Sequence, residues 1–366
     1  MRRSLRYKNM NVYSIIDRFA YKYDMQRRRK KANSRVAYLP QTKLSRSEKK
    51  LFEMNWVGWK SDSYRFYKAF CGSFDIKYVP NDYYDFAEHV LNLRWSAFFL
   101  QHKCCLKHII PESHRPKTIL QKIDGHYVLE DNAEISEEQA TDLLKKENVF
   151  VCKVALGSGG GRGVQRIDLT NIEGKDSFLK QILAPNDLIF QKLIHQNDFL
   201  LRFNSDSVNT FRLLTLNINE HCTVLSSFLR MGSKGSFVDN LCSGGGALVG
   251  IDDKGMLNTW GITKQYEKVY EAPSGEKFKG VRVPNWVEIK NTVIAFHKQI
   301  PYANLIGWDI TLSADGTPIV IEINLDSAEI EAHQIFNGPV FGDRLQEVKD
   351  YIYDRKPKLR HAMITY

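Results

Sequence analysis

No stretch of this sequence approaches the roughly 20 consecutive apolar residues of a membrane-spanning helix, so no span is expected. Residues 1–24 carry basic side chains but no apolar central region, which predicts no signal peptide. Cysteine is sparse and scattered: Cys71, Cys104, Cys105, Cys152, Cys222 and Cys242 form no CxxC pair and no Cys/His ligand spacing. That argues against a disulfide framework or a structural zinc site and fits reduced cytosolic thiols. Neither a Ser/His/Asp nor a Cys/His signature stands out, and there is no internal repeat or low-complexity linker.

Positive charge is present in excess, with 52 Lys/Arg against 42 Asp/Glu, and it is unevenly placed. Residues 1–50 hold sixteen basic residues against three acidic ones, and the remainder holds 36 against 39. The run RRRKK, Arg27–Lys31, is the centre of this basic arm. Two readings stand: a solvated helix face, or a surface for an anionic glycan or an anionic membrane. No nucleic-acid motif accompanies it, so a nucleic-acid partner is not expected.

Residues 1–95 read as a helical module. Ser45 or Ser47 would cap a helix in "LSRSEKKLFEMNWVGW", and Pro80-Asn81-Asp82 would open another in "VPNDYYDFAEHVLNLRW". From about 96 the texture becomes α+β: short β-branched runs such as "KTILQKI", "VFVCKVAL", "FRLLTLNI", "TVLSSFLRM" and "GTPIVIEIN" alternate with turns.

The segment "VFVCKVALGSGGGRGV" sets one lysine, Lys153, in an apolar run and follows it with Gly157, Gly159, Gly160, Gly161 and Gly163. Glycines bring backbone N–H groups close to an anion, usually phosphate. The order of residues eliminates several phosphate sites. A P-loop needs GxxxxGK[ST], but the fifth residue after Gly157 is Arg162; the same arginine breaks a GxGxxG fingerprint. Kinases place the loop before the strand lysine and carry HRD, which is missing. What remains is a strand lysine followed by a glycine flap that folds over phosphates; a surface lysine before a flexible hairpin is the plain alternative.

Far downstream, "NLIGWDITLSADGTPIVIEINLD" (304–326) predicts a hairpin turning at SADG. Alternation puts Trp308, Ile310 and Leu312 on one face and Asp309 and Thr311 on the other. On the second strand Ile319, Ile321 and Ile323 should share a face, with Glu322 and Asn324 opposite. Asp309, Glu322 and Asn324 can then converge as three oxygen donors, a set that suits Mg²⁺ shared with substrate phosphates. A half-exposed polar strand face is the alternative.

A lysine strand, a glycine flap, a hinge and a closing hairpin with D…E-x-N, in that order, resemble an ATP-grasp enzyme. With "FDIKYVPNDYYDF" and "HQIFNGPVFGD", the chain resembles the sugar-transfer-associated ATP-grasp proteins of polysaccharide biosynthesis, over roughly 100–355. The resemblance implies an α+β fold with two lobes gripping ATP, a lobe of about 96–190 and another of about 195–356, behind the helical module of 1–95. It implies that Lys153 contacts the α/β phosphates and that Lys103 is a second phosphate-side lysine, with Lys107 and Lys117 as rivals. It makes "LIFQKLIHQND" the hinge, with adenine at the backbone near Lys192 and Ile194, Gln191 beside it, and Asp198 or Asn197 at the ribose. Many relatives have Glu where Gln191 stands. Arg212 and Arg230 match basic positions facing the transferred phosphate, Asn240 matches a position near it, and Gly244–Gly246 suggest a second close-approach loop. His195 and His333 are expected to be structural.

The function so implied is an ADP-forming carboxylate–amine ligase using ATP and Mg²⁺ through an acyl phosphate. Its expected substrates are a uronic-acid-like sugar, glycan or amino acid and an amine, in capsule or exopolysaccharide synthesis. The expected location is the cytoplasm or the inner membrane face. Alternatives are a grasp-fold phosphotransferase on a hydroxyl, a ligase modifying protein tails, and a non-catalytic nucleotide- or polyanion-binding protein.

Overall fold

A computed structural model of the chain describes residues 12–157, 163–185, 187–237, 246–326 and 329–359. The chain divides into two compact units: one spans Trp95–Val340, and the other is formed by the chain on either side of it. Among the described residues no helix is long and apolar enough to cross a membrane.

The helical unit contains α1 (Val12–Ala37), α2 (Arg46–Asn55), α3 (Asp62–Cys71) and α4 (Asn81–Leu91). Ser45 begins α2 with a capping box: its hydroxyl accepts from Glu48 N at 3.2 Å, and Glu48 accepts from Ser45 N at 2.6 Å. The basic run of α1 is not all solvated. Arg29 turns inward, its Nε 3.2 Å from the fully buried carboxylate of Asp82, and its guanidinium lies 5.0 Å from the Trp59 ring centre. The terminal helix, α11 (Leu345–Leu359), belongs to the helical unit. Phe341 stacks on Tyr84, and the Lys349 ammonium sits 3.9 Å from the Trp56 ring centre.

The second unit opens with α5 (Arg94–Gln101) and a 3-10 segment, Lys103–His108. Its first sheet has six strands: β1 (Thr118–Ile123), β2 (His126–Val128), β3 (Glu134–Ile135), β4 (Val149–Val154), β5 (Val164–Asp168) and β6 (Leu188–Gln191), ordered β3-β2-β1-β6-β4-β5. Helices α6 (Glu137–Glu147) and α7 (Lys175–Ile182) provide Ala140, Leu144 and Leu179 to a core with Phe150, Cys152 and Phe190. A short helix, α8 (Asp198–Leu201), leads to the second sheet.

That sheet has seven strands: β7 (Thr210–Ile218), β8 (His221–Met231), β9 (Ala247–Ile251), β10 (Leu257–Ile262), β11 (Lys268–Val269), β12 (Leu305–Leu312) and β13 (Pro318–Asn324), ordered β11-β10-β9-β8-β7-β12-β13. Helix α9 (Trp286–Lys298) packs Ile289, Val293 and Phe296 into a core with Phe211, Leu213, Trp308 and Ile310. The opposite face carries Arg212 and Asp309, which are paired across β7 and β12, and Phe228, paired with Arg212 on β8. Helix α10 (Ile330–Asn337) packs on this face through rings: Phe228 lies 4.8 Å from His333.

Beneath α9 runs a chain of buried hydrogen bonds. Trp308 Nε1 donates to Thr215 Oγ1 at 2.7 Å, and Thr215 lies 2.6 Å from His297 Nδ1. His297 Nε2 lies 2.8 Å from the Ala303 carbonyl, which can only accept. Nε2 therefore carries a proton, and because burial keeps the ring neutral, Nδ1 accepts from Thr215 Oγ1. Burial pushes its pKa down to about 4, against a smaller upward pull from Ala303. A protonatable group depressed from 6.5 to about 4 favours the fold above pH 6.5 and loses that contribution as pH falls through 4. This group should cost the protein about 3 kcal/mol between pH 7 and pH 4. Denaturant titrations across that range should show the loss, and His297→Gln, though less stable at pH 7, should show a flatter profile. A variant profile as steep as that of wild type would exclude His297 as the source.

Candidate functional site

The hairpin predicted at 304–326 forms with the turn at Ser313–Thr317. Asp309 pairs directly with Glu322, and Gly307 pairs with Asn324. One detail differs. Ile310 pairs with Val320, so an irregularity at Ile321 shifts the alternation. Val320 and Ile323 enter the core with Trp308 and Ile310, whereas Ile319 pairs with Thr311; the three isoleucines do not share a face. The bulge leaves Glu322 beside Asp309 while still burying the neighbouring apolar residues.

Asp309 is the hub of the site. Arg212 Nε donates to Oδ1 at 2.6 Å and Nη2 to Oδ2 at 3.1 Å. Arg230 Nη1 is 3.3 Å from each oxygen, and Asn324 Nδ2 donates to Oδ2 at 3.3 Å. Asp309, Arg212 and Arg230 are all buried. Burial alone would raise the Asp309 pKa; the Coulomb field of Arg212 and Arg230, with the hydrogen bonds, outweighs it and holds the carboxyl below its usual range. For Arg212, burial acts to lower the pKa, and the fields of Asp309 and Glu329 overcome it, keeping the guanidinium charged.

Lys103 Nζ lies 3.1 Å from Glu322 Oε1. Its rivals are elsewhere: Lys107 donates to the Leu129 and Glu130 carbonyls at 3.4 and 3.2 Å, and Lys117 is exposed. The turn carrying Lys103 is tied to the first sheet by Lys103 N to Ala155 O (2.9 Å) and Gln121 Nε2 to Cys104 O (3.1 Å). Lys153 is buried on β4 opposite Ile189, on the sheet face away from Phe150 and Cys152. Register places Gln191 and Val151 on that same face. Lys103 and Lys153 thus belong to one side of the first sheet.

Gly157 and Gly163, at the two ends of the glycine loop, have φ of 72° and 73°, a conformation L side chains rarely adopt. Gly159, Gly160 and Gly161 lie outside the described residues, as do Asn240, Gly244 and Gly245. Gly246 is described, and a Cβ there would come 2.3 Å from the Met231 carbonyl, so close backbone approach requires glycine.

At the hinge, Lys192 N donates to Lys117 O at 2.9 Å, and its ammonium pairs with Glu147 at 3.0 Å. The Lys192 N–H is therefore committed within the protein. Lys192, Ile194 and His195 line a cleft of about 450 Å³ with Lys117, Asp315 and Ile319. Asn197 caps α8, accepting from Leu200 N at 3.2 Å, so of the two ribose candidates Asp198 has the exposed side chain. His195 is exposed; His333 is buried, its Nδ1 2.8 Å from Ser226 Oγ.

Two features went unread in the sequence. Glu329 approaches Arg212, with Oε2 3.7 Å from Nη1. A buried polar network also braces the loop before β7: Gln196 Oε1 accepts from Asn209 N at 2.7 Å, and Asn204 Nδ2 donates to the Gly232 carbonyl at 2.9 Å. Single polar residues in a loop carry no periodic signal.

Among the described residues, no three His, Cys, Asp or Glu side chains form a metal cage by themselves. The set Asp309, Glu322 and Asn324 nevertheless fits Mg²⁺: all three offer oxygen, and donation from Asn324 Nδ2 to Asp309 leaves its carbonyl oxygen available to a cation.

Residues 88–350 match the family model described as sugar-transfer associated ATP-grasp. No curated protein matches the chain. Similar solved structures include the ATP-grasp ligase PsnB complexed with minimal precursor, at 13% identity and TM-score 0.40 over 71% of this chain and 64% of that one. D-alanyl-alanine synthetase A from Vibrio cholerae O1 biovar eltor is similar at 12% identity and TM-score 0.41, over 70% and 65% of the two chains. The chain thus spans just under two thirds of the length of these relatives.

Proposed function

We propose, from the premise that the chain belongs to the sugar-transfer associated ATP-grasp family, that it is an ADP-forming ligase joining a carboxylate to an amine through an acyl phosphate. The observation that carries this is the interleaving of Arg212 and Arg230 with Asp309, Glu322 and Asn324 on one face of the second sheet, with Lys103 reaching Glu322 from the 3-10 segment. Three cations and three carboxylates, Asp309, Glu322 and Glu329, gather here, and a polyphosphate with its Mg²⁺ would bring both kinds of partner. Phosphoryl transfer needs mainly positioning and charge neutralisation, and this cluster supplies both without a protein nucleophile.

In this reading Lys153 and Lys103 hold the nucleotide phosphates, and the glycine loop, including Gly159, Gly160 and Gly161, covers them. Gln191, Lys192 and Ile194 border the base, and Asp198 the ribose. Arg212 and Arg230 face the transferred phosphoryl group, with Asn240 near it. Asp309, Glu322 and Asn324 would hold Mg²⁺, which when bound neutralises charge shared between the phosphates. The fixed guanidiniums orient the substrate carboxylate for attack on phosphorus. Family membership points to a uronic-acid-like or amino-acid carboxylate in polysaccharide synthesis. The basic side of the chain supports an anionic glycan or its lipid-diphosphate carrier as partner: up to Arg94 there are 21 Lys/Arg against 9 Asp/Glu, and after it 31 against 33.

Thermal melts of the full chain with Mg²⁺ and a non-hydrolysable ATP analogue test the nucleotide reading. Saturation at about 100 times Kd should add roughly 2.7 kcal/mol, several degrees in Tm, only when Mg²⁺ is present. No shift at saturating analogue would remove the nucleotide from the proposal.

A further inference from the structure

We propose that Glu329 receives the attacking amine and takes its proton as the amide forms, an inference that rests on the ligase reading above. Glu329 immediately precedes α10 with φ of 58°, a left-handed conformation that is strained for glutamate. It stands at the N-cap position, yet its side chain makes no cap hydrogen bond, so the ordinary reason for an acidic residue there is missing. Its carboxylate leans instead toward the site, with Oε2 3.7 Å from Arg212 Nη1, beyond hydrogen-bond distance. Oε2 is buried and accepts no hydrogen bond among the described residues, while the side chain as a whole is 41% exposed. One oxygen faces the reaction centre and the rest of the group faces outward.

A buried carboxylate oxygen without a donor is costly, and the nearest one, Arg212 Nη1, stops 3.7 Å away while Nε and Nη2 hold Asp309. The missing partner is a donor that arrives from outside and carries positive charge, which describes a protonated amine. The carboxylate is held by a fixed element. Asn337 Nδ2 at the far end of α10 donates to Ser226 Oγ at 2.9 Å and to the Ser227 carbonyl at 3.0 Å, and the His333 ring lies tilted against Phe228. The step balances as follows. An ammonium group gives one proton to Glu329, and the freed nitrogen lone pair forms the C–N bond to the acyl carbon. The C–O bond to phosphate breaks with its electron pair, phosphate leaves carrying the nitrogen's second surplus proton, and Glu329 returns its own to water.

The test uses the full chain with Mg²⁺, ATP and a panel of acids (D-glucuronate, D-galacturonate, L-glutamate), offered either hydroxylamine or ammonium and methylamine. Hydroxylamine is an uncharged nucleophile at neutral pH and needs no initial proton acceptor; the other two are cations. Glu329→Gln should lower the ratio of amide to hydroxamate by about 100-fold, the size of a lost general base. An unchanged ratio, or a wild type that accepts hydroxylamine but neither cationic amine, overturns the role of Glu329 and leaves the ligase reading standing. No hydroxamate from wild type with any acid overturns the ligase reading, and this inference with it.

Discussion

Asp309→Asn should destabilise the protein by about 3–5 kcal/mol, the range for breaking one partner out of a buried ion pair. Arg212 and Arg230 are 4% and 8% exposed and share that one carboxylate. Asparagine keeps the shape but presents an N–H₂ to one guanidinium and removes the charge that offsets both. For a unit of this size the loss corresponds to a fall in Tm of roughly 10 °C. The same logic gives a pH dependence: because the Asp309 carboxyl is held below its usual range, its contribution is present at neutral pH and is lost as the medium becomes acidic enough to protonate it. A variant melting within 2 °C of wild type would mean that the arginines find other partners and that Asp309 is not the hub.

Glu322→Gln should stop turnover while sparing the fold. Its carboxylate is 29% exposed and meets Lys103 at the edge of the sheet, a pairing worth about 1 kcal/mol or less. Removing its charge takes one partner from Lys103, whose side chain is 11% exposed, so Tm should move by no more than a few degrees. Mg²⁺-dependent ADP release, by contrast, should fall at least about 100-fold, and the Tm shift induced by the ATP analogue should vanish. Turnover within threefold of wild type would take Glu322 out of the site. Asp309 and Glu322 face one another in the same strand pair and are both proposed metal ligands, yet only the Asp309 substitution should also carry a large stability cost. Burial makes the difference.

The hairpin was legible because period-2 alternation survives on β12, where Trp308, Ile310 and Leu312 all enter the core. The start of α2 was legible because Ser45 and Glu48 form a capping box three residues apart. Sequence spacing could also place Asp309 near Glu322, since a turn fixes the register locally. It could not give the bulge at Ile321, because an isoleucine reads as an ordinary strand residue. The arginine hub was half legible. Arg212 and Arg230 fall on successive strands by inspection, but their sharing of Asp309 depends on β7 pairing with β12, which no local pattern encodes. Lys103 was one of three lysines, and its meeting with Glu322 is a long-range contact that no local pattern encodes. Glu329 gave no signal at all, since an acidic residue before a helix is usually a cap.

The order in which the ion pairs close also shapes how this protein is made. Lys103 meets Glu322 across 219 positions of chain, and Arg212 meets Asp309 across 97. Pairings of such separation are slow to form, since the loop entropy must be met before the contact rewards it. On the ribosome Arg212 and Arg230 emerge first, and the strand pair bearing both carboxylates comes last among the strands. Until that hairpin docks on β7, two guanidiniums have no anion and the sheet ends in an open edge. A chain stalled or clipped before residue 305 therefore lacks both carboxylates of the proposed site and presents an open sheet edge.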